Sequence, residues 1–348
     1  MGTFTSAQYS TGVRANDFHP ETKAFFSGRR VAVTGGTGFI GSHLVEQLVE
    51  LKAKPIILTR QLNPEFLSHI RDQVEIKKCD LKNRKDVLSA FKDCSTVLSL
   101  AASVAGLEYN SKHPATIFQE NLETFFNTIG AAKEIGVERF LTTSSACVYP
   151  RHCTIPTPEI EGMKDEPEPT NSGYGWSKRM EEFLSQKYAE EFGMSIAIAR
   201  PYNSYGPRDN FKPESSHVIP ALILKAFETK ESTFSVWGDG SHSRSFLYVD
   251  DFARGLLEVT ARYPQAIPLN IGAEEETRIS EVADWIAEDV SKLTGRTVKP
   301  KFNPQGLTGQ PRRKCDGTKA FEAINFKAKV SFREGLRKTI EWYFNKTD

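Results

Sequence analysis

Tyr174 and Lys178 stand four residues apart in the stretch Thr170-Asn171-Ser172-Gly173-Tyr174-Gly175-Trp176-Ser177-Lys178. On a helix this spacing places a phenol and an ammonium on one face, one turn apart. A phenol beside an ammonium, and beside the positive ring of an oxidised nicotinamide, is expected to have its anion favoured and its pKa lowered. Such a tyrosine passes a proton to or from an alcohol oxygen while hydride moves at the neighbouring carbon. A second pair stands earlier, where Ser145 and Cys147 follow the run Phe140-Leu141-Thr142-Thr143-Ser144. If the backbone stays extended, the alternation of a strand sends both side chains to one side, and a hydroxyl and a thiol share a cleft. A single cysteine is more often a small buried hydrophobe, and Tyr-x-x-x-Lys arises by chance in many helices. The elements that carry these residues therefore decide what they mean.

The strongest positioning element is Thr34-Gly35-Gly36-Thr37-Gly38-Phe39-Ile40-Gly41, between the apolar run Val31-Ala32-Val33 and a stretch with helical periodicity (Leu44, Val45, Leu48, Val49). Strand, glycine turn and helix together read as a dinucleotide site. Gly35 permits the tight turn, Gly38 lets a pyrophosphate reach the backbone at the positive helix end, and Gly41 lets helix and strand pack closely. Further strands are expected at Pro55–Thr59, Val74–Lys77, Thr96–Ala102, Phe140–Ser145 and Ile196–Ala199, with helices between them. That alternation predicts a parallel sheet covered on both faces, with ligands at the strands' carboxyl ends.

At the end of the second strand stands Thr59-Arg60, with no acid for the ribose hydroxyls. An arginine there suits a 2′-phosphate, so NADP is preferred and NAD is the alternative. Asp80-Leu81 follows the third strand, where a carboxylate meets an adenine amino group. Ala101 and Ala102 end the fourth, small enough for backbone to approach a flat cofactor. Asn121, in the helix from about 116 to 135, either joins the cofactor network or caps a local backbone group. The apolar face of that helix (Ile117, Phe118, Leu122, Phe125, Phe126, Ile129) suits core or a subunit interface. Lys225 and Arg244, in the segment after 206, are candidate phosphate partners.

With 45 basic and 44 acidic residues among 348, the formal charge is +1, so nothing in the charge balance points to nucleic acid or a membrane surface. The five cysteines (Cys79, Cys94, Cys147, Cys153, Cys315) are scattered, without paired metal-ligand spacing, and suit a reducing, cytoplasmic setting. No run is long enough to span a bilayer. Residues 1–28 read as a flexible or docking extension. Met1-Gly2 with Ser6 fits a loose N-myristoylation pattern best explained by chance.

Taken together, Thr34 to Gly41, Ala101-Ala102, Ser145, Tyr174 with Lys178, Pro201 to Pro207, and Arg244-Ser245-Phe246-Leu247-Tyr248-Val249-Asp250-Asp251 resemble the extended short-chain dehydrogenase/reductase family of nucleotide-sugar epimerases, dehydratases and reductases. The resemblance runs from about Val31 to Phe344. It implies a doubly wound Rossmann domain over 29–205 with returning segments near 240–275, a smaller carboxyl-terminal α/β cap over 206–348, and a homodimer. Within the family, Ser145 to Pro150, Glu168 to Asn171, and Asp209 to Leu222 are similar to the branch that carries out 3,5-epimerisation and then 4-reduction of GDP-4-keto-6-deoxymannose. This likeness implies Cys147 and His217 as the acid/base pair of epimerisation. It places Val104, Ser145, Asn203, Val218, Lys225, Trp237 and Arg244 along a GDP-sugar, and Ser103, Pro201 and Asn203 at the cofactor. Ser103 stands where that branch has a lysine, and Ala146 where it has a second serine.

Two other readings accompany this one. The first is a redox-neutral epimerase, resembling those that invert a GDP- or UDP-sugar and retain NAD. The second is a non-catalytic cofactor-sensing protein on the same fold, against which stands the presence of Ser145, Tyr174 and Lys178 together.

Overall fold

A computed structural model describes residues 12–347 except 61, 63–64, 105 and 306–308. The Met1-Gly2-Ser6 pattern lies outside the described residues. The chain begins with α1 (Pro20–Phe26), then β1 (Arg30–Thr34), α2 (Phe39–Glu50), β2 (Lys54–Thr59), β3 (Glu75–Lys78), α3 (Arg84–Phe91) and β4 (Thr96–Ser99). It continues with α4 (Leu107–Lys112), α5 (Pro114–Ile135), β5 (Arg139–Thr143), α6 (Ser172–Phe192), β6 (Ile196–Pro201) and β7 (Asn203–Tyr205). Next come α7 (Val218–Glu228), β8 (Thr233–Trp237), β9 (Ser243–Arg244), β10 (Phe246–Tyr248), α8 (Val249–Arg262) and β11 (Pro268–Ile271). The last elements are β12 (Thr277–Arg278), α9 (Ile279–Thr294), β13 (Lys299–Asn303), β14 (Arg312–Arg313), α10 (Thr318–Ile324) and α11 (Phe332–Thr347).

Seven strands form one sheet in the order β11-β6-β5-β4-β1-β2-β3, and every pairing is parallel. The order reverses at β1, so β1 and β4 flank the crevice where ligands of doubly wound sheets bind. Near-continuous burial of β1, β2, β4 and β6 explains their unbroken apolar runs, since helices cover both faces. The seventh strand, Pro268–Ile271, goes beyond the six that periodicity predicts. It opens on a proline and carries Asn270, so nothing in its pattern announces a buried strand.

The turn between β1 and α2 shows why glycine stands where it does. Gly35 sits at φ +69°, a left-handed conformation, with Ala101 backbone 3.1 Å from where a Cβ would be. At Gly41 a Cβ would meet the Gly35 carbonyl oxygen at 2.1 Å. Gly38 begins α2 with no side chain capping the helix, which leaves its first N–H groups to a ligand.

Beyond β6 the chain builds a second apolar core from α7, β8, α9 and α11, including Ile223, Phe234, Val282, Ile286, Leu336 and Ile340. The segment from β10 through β11 returns to the sheet, as does α10, whose Ala320 and Ile324 join the sheet's own core.

Of the two alternatives for the amino-terminal extension, flexible or docking, residues 12–28 take the docked one. Phe26 is fully buried, the His19 N–H and Thr22 hydroxyl donate to Glu258 of α8, and Lys329 pairs with Asp17. Apolar burial of that extent stabilises by about 2–3 kcal/mol per large side chain, which polar composition hides. Among the described residues no helix is long and apolar enough to cross a membrane.

Candidate active site

The fifth strand ends at Thr143, and Ala146–Val148 then forms a single tight helical turn capped by Ser145, whose Oγ accepts the Cys147 N–H at 3.1 Å. The expectation of an extended backbone through Ser145 and Cys147 is therefore corrected. A Ser side chain that caps its own downstream backbone favours a turn over a strand. The turn nonetheless delivers both residues to one place. Ser145 and Cys147 both lie close enough to the Tyr174 phenol to act on its ionisation.

Tyr174 and Lys178 lie on the first turns of α6, as their spacing predicts, with the Lys178 Nζ 5.6 Å from the Tyr174 ring centroid. That ammonium is engaged elsewhere. It donates to the Thr143 carbonyl at 3.0 Å and to Glu181 Oε2 at 2.9 Å. Burial, joined by the negative charges of Cys147 and Glu181, raises the Tyr174 pKa well above its ordinary value, and Ser145 only moderates this. The expected lowering is thus reversed within the chain's own residues, chiefly because burial disfavours the phenolate; Glu181, unnoticed in the sequence, adds its charge and takes up the lysine's. Desolvation lifts Glu181 itself to about 7, against the pull of Lys178. Its neighbour Glu182 differs: Arg200 of β6 grips both its oxygens at 2.7 Å.

The half-buried Cys147 receives the Asn171 Nδ2–H at 3.0 Å and lies 3.8 Å from Arg313 Nη1. Asn171 is oriented by Asn110, whose Nδ2 donates to the Asn171 Oδ1 at 2.7 Å. Arg313 also reaches Asn203 Oδ1 at 3.4 Å, so Asn203 joins this group. The pairing of β14 with β9 sets Arg313 beside Arg244. Desolvation, then the like charge of Arg313, pushes Arg244 down to about 9. The nearby Glu168 is already held by Arg151 at 2.9 Å, which leaves two adjacent guanidinium groups suited to a dianion such as a pyrophosphate. Arg313, Asn110 and Glu181 escaped the sequence reading. Arg313 sits in the pair Arg312-Arg313, and no sequence signal tells which of the two turns inward.

His217 stands at the start of α7 with its Nδ1 3.8 Å from the buried Asp209 carboxylate. Burial disfavours the charged ring, yet the nearby Asp209 carboxylate outweighs it and raises the pKa above the ordinary imidazole value. No hydrogen bond or ion pair joins His217 to Cys147 among the described residues. Lys225 lies 5.1 Å from the Trp237 ring centroid and donates to the Ser235 carbonyl, with its pKa lowered by burial. Val104, Val218 and Trp237 expose apolar surface.

At the glycine turn, Thr34 Oγ1 accepts the N–H groups of Leu100 and Ala101, tying the end of β4 to the end of β1. Asn121, fully buried, clamps the Ser103 backbone through both its N–H and its carbonyl. Thr59 is buried at the end of β2. Arg60 is exposed beyond it, and its charge acts on Glu120, which hydrogen-bonds Ser103. Asp80 Oδ1 accepts the Lys82 N–H, and the Leu81 carbonyl accepts from Asn127. Pro201 ends β6 in the core. Thr37, Phe39, Ile40 and Ala102 line the same end of the sheet by their place in the β1 and β4 turns. The glycine turn closes too tightly for any Cβ at Gly41, an observation that fits a dinucleotide laid against its backbone.

The family described as the NAD dependent epimerase/dehydratase family matches residues 31–272. A dTDP-4-dehydro-6-deoxy-D-allose reductase from a Streptomyces species is 32% identical over 326 residues, spanning 91% of this chain and 97% of that protein. The probable GDP-L-fucose synthase 1 of Oryza sativa subsp. japonica is 33% identical over 349 residues, spanning 99% and 97%. The crystal structure of a UDP-glucose 4-epimerase from Thermotoga maritima superposes with a TM-score of 0.80 at 25% identity, covering 92% of this chain and all of that one. A pattern matched across most of the chain, relatives this similar along nearly its full length, and Ser145, Tyr174 and Lys178 assembled at one sheet edge give one conclusion: the chain belongs to the NAD dependent epimerase/dehydratase family and is an NAD(P)-dependent enzyme of the extended short-chain dehydrogenase/reductase type.

Proposed function

We propose that this enzyme acts on a nucleotide sugar, carrying out NADP-dependent 3,5-epimerisation and 4-reduction of a 4-keto-6-deoxyhexose carried on GDP, as a GDP-L-fucose synthase does. The observation that carries the reading is the placement of Cys147, held by Asn171 and near Arg313, beside the Ser145–Tyr174–Lys178 group. A 4-keto group acidifies the hydrogens at C3 and C5. Cys147 removes one from one face of the ring, and His217, whose pKa Asp209 raises, returns a proton to the other. A nicotinamide cofactor, when bound over the glycine turn, supplies hydride to C4. Tyr174 gives its phenolic proton to the C4 oxygen, and the burial that keeps this phenol neutral suits a proton donor. Ser145 orients the same oxygen. Arg244 and Arg313 face the pyrophosphate, with Lys225 and Trp237 farther along the nucleotide.

Arg60 at the end of β2, without an acid beside it, favours NADP over NAD. The exposed Phe126 of α5 and Phe183 of α6, 50% and 51% accessible, support a homodimer through these helices. Five free cysteines support a cytoplasmic setting. A second reading, 4-reduction without inversion, is supported by the similarity to the Streptomyces reductase. A third, the redox-neutral epimerase, consumes no NADPH. Incubation with NADPH and GDP-4-keto-6-deoxymannose separates them. Oxidation of NADPH with inversion at C3 and C5 supports the first, oxidation without inversion the second. Failure to oxidise NADPH with this sugar or with dTDP, UDP and CDP counterparts overturns both reductive readings.

A further inference from the structure

Three residues of α6 form one stripe at i, i+4 and i+7: Tyr174, Lys178 and Glu181. The Lys178 and Glu181 side chains are each 4% exposed and meet at 2.9 Å, while the other lysine contact is the Thr143 carbonyl at 3.0 Å. A buried ion pair of this kind is not explained by stability, because desolving both charges offsets most of their attraction. The adjacent buried carboxylate, Glu182, already serves the structural purpose by holding Arg200 and accepting the Ser144 hydroxyl. Glu181 has no such duty; its partner is the lysine one turn from the phenol.

We propose that Glu181 is a positioning residue of the hydride-transfer site, holding the Lys178 ammonium against the Thr143 carbonyl one turn from the Tyr174 phenol. The inference rests on Tyr174 as the proton donor, and not on which sugar or base is bound. The groups that act on Glu181 are Lys178 and Glu182 of its own helix, and no charged group of α5 is among them. Arg200 of β6 neutralises Glu182, and Cys147 adds its charge at Tyr174. In the order of magnitude, the carboxylate raises the phenol and the ammonium it holds is withheld from it.

The test compares wild type with Glu181→Gln and Glu181→Asp in two measurements. The first is the pH profile of kcat for NADPH oxidation with a 4-keto nucleotide sugar. The second, in cofactor-free protein, is the alkaline onset of tyrosinate absorbance assigned to Tyr174 by difference against Tyr174→Phe. Glu181→Gln is expected to move the alkaline limb and the tyrosinate onset down by about one pH unit, with KM for the sugar nucleotide unchanged and Glu181→Asp in between. A folded Gln variant with the wild-type limb and onset overturns the proposal. If the Gln variant does not fold, an unshifted Asp variant overturns it instead. If the wild type oxidises no NADPH with any such sugar, the proposed function fails, and the cofactor-free titration alone still decides the role of Glu181.

Discussion

Replacing Gly41 by alanine tests the dinucleotide turn with a single added methyl group. In the structure that Cβ would sit 2.1 Å from the Gly35 carbonyl oxygen, 2.7 Å from Gly36 Cα and 2.8 Å from the Gly35 carbonyl carbon, where ordinary contact begins at 3.4 Å. All three atoms are backbone, so no rotamer change relieves the overlap. The turn or the start of α2 must move by more than an ångström. Overpacking of this kind costs about 1–3 kcal/mol, and for a chain of this size about 1–2 °C of melting temperature accompanies each kcal/mol. The loss of affinity should exceed the loss of stability, because the N–H groups that would meet a pyrophosphate are those displaced. One or two hydrogen bonds to a charged group, about 1.5–3 kcal/mol each, correspond to roughly ten- to more than a hundred-fold weaker binding. The assay is NADPH fluorescence titration beside thermal unfolding, with Gly317→Ala as the control, since its Cβ would meet only the Glu274 side chain at 3.9 Å. Wild-type NADPH affinity and melting temperature in Gly41→Ala would refute the argument that this turn cradles the cofactor.

Phe26→Ala should destabilise by about 3–5 kcal/mol in denaturant titration while leaving NADPH affinity unchanged, because the docked extension packs on α8 away from the glycine turn. Glu182→Ala should cost about 3–5 kcal/mol by leaving Arg200 buried and unpaired, and adding Arg200→Met should recover part of the loss in a double-mutant cycle. Asp209→Asn concerns pH. The raised pKa of His217 keeps the acid form present below that pKa and loses it above, so removing the Asp209 charge should move the alkaline limb of proton return to lower pH. Deuterium incorporation at C3 and C5 against pH measures this, and an unmoved limb would show that Asp209 does not support the imidazolium.

Much of this molecule was legible as pattern. Gly41 announces its contact with Gly35 because the two are six residues apart on one turn, and the pairing of Tyr174 with Lys178 follows from helical geometry alone. The strand beginning at Pro268 was not legible, since its partner, β6, lies far away along the chain and supplies the burial that its own residues do not advertise. Likewise Phe26 sits in a polar stretch, and only the presence of α8 turns that stretch into a docked segment. The turn at Ala146–Val148 was hidden because Ser145 caps backbone in a way that strand periodicity does not encode.

The sequence by itself determined the dinucleotide turn, the alternation that builds a parallel sheet, and the residues that could exchange protons, since each depends on spacing within a few residues. Only the tertiary structure decided how those residues are charged. Arg313 reaches Cys147 across a separation of 166 positions, and burial, joined by the charges of Cys147 and Glu181, raises the Tyr174 pKa. The reason is physical. Backbone geometry is local along the chain, whereas the energy of a charge depends on burial and on every other charge brought near it, and those are set by the fold.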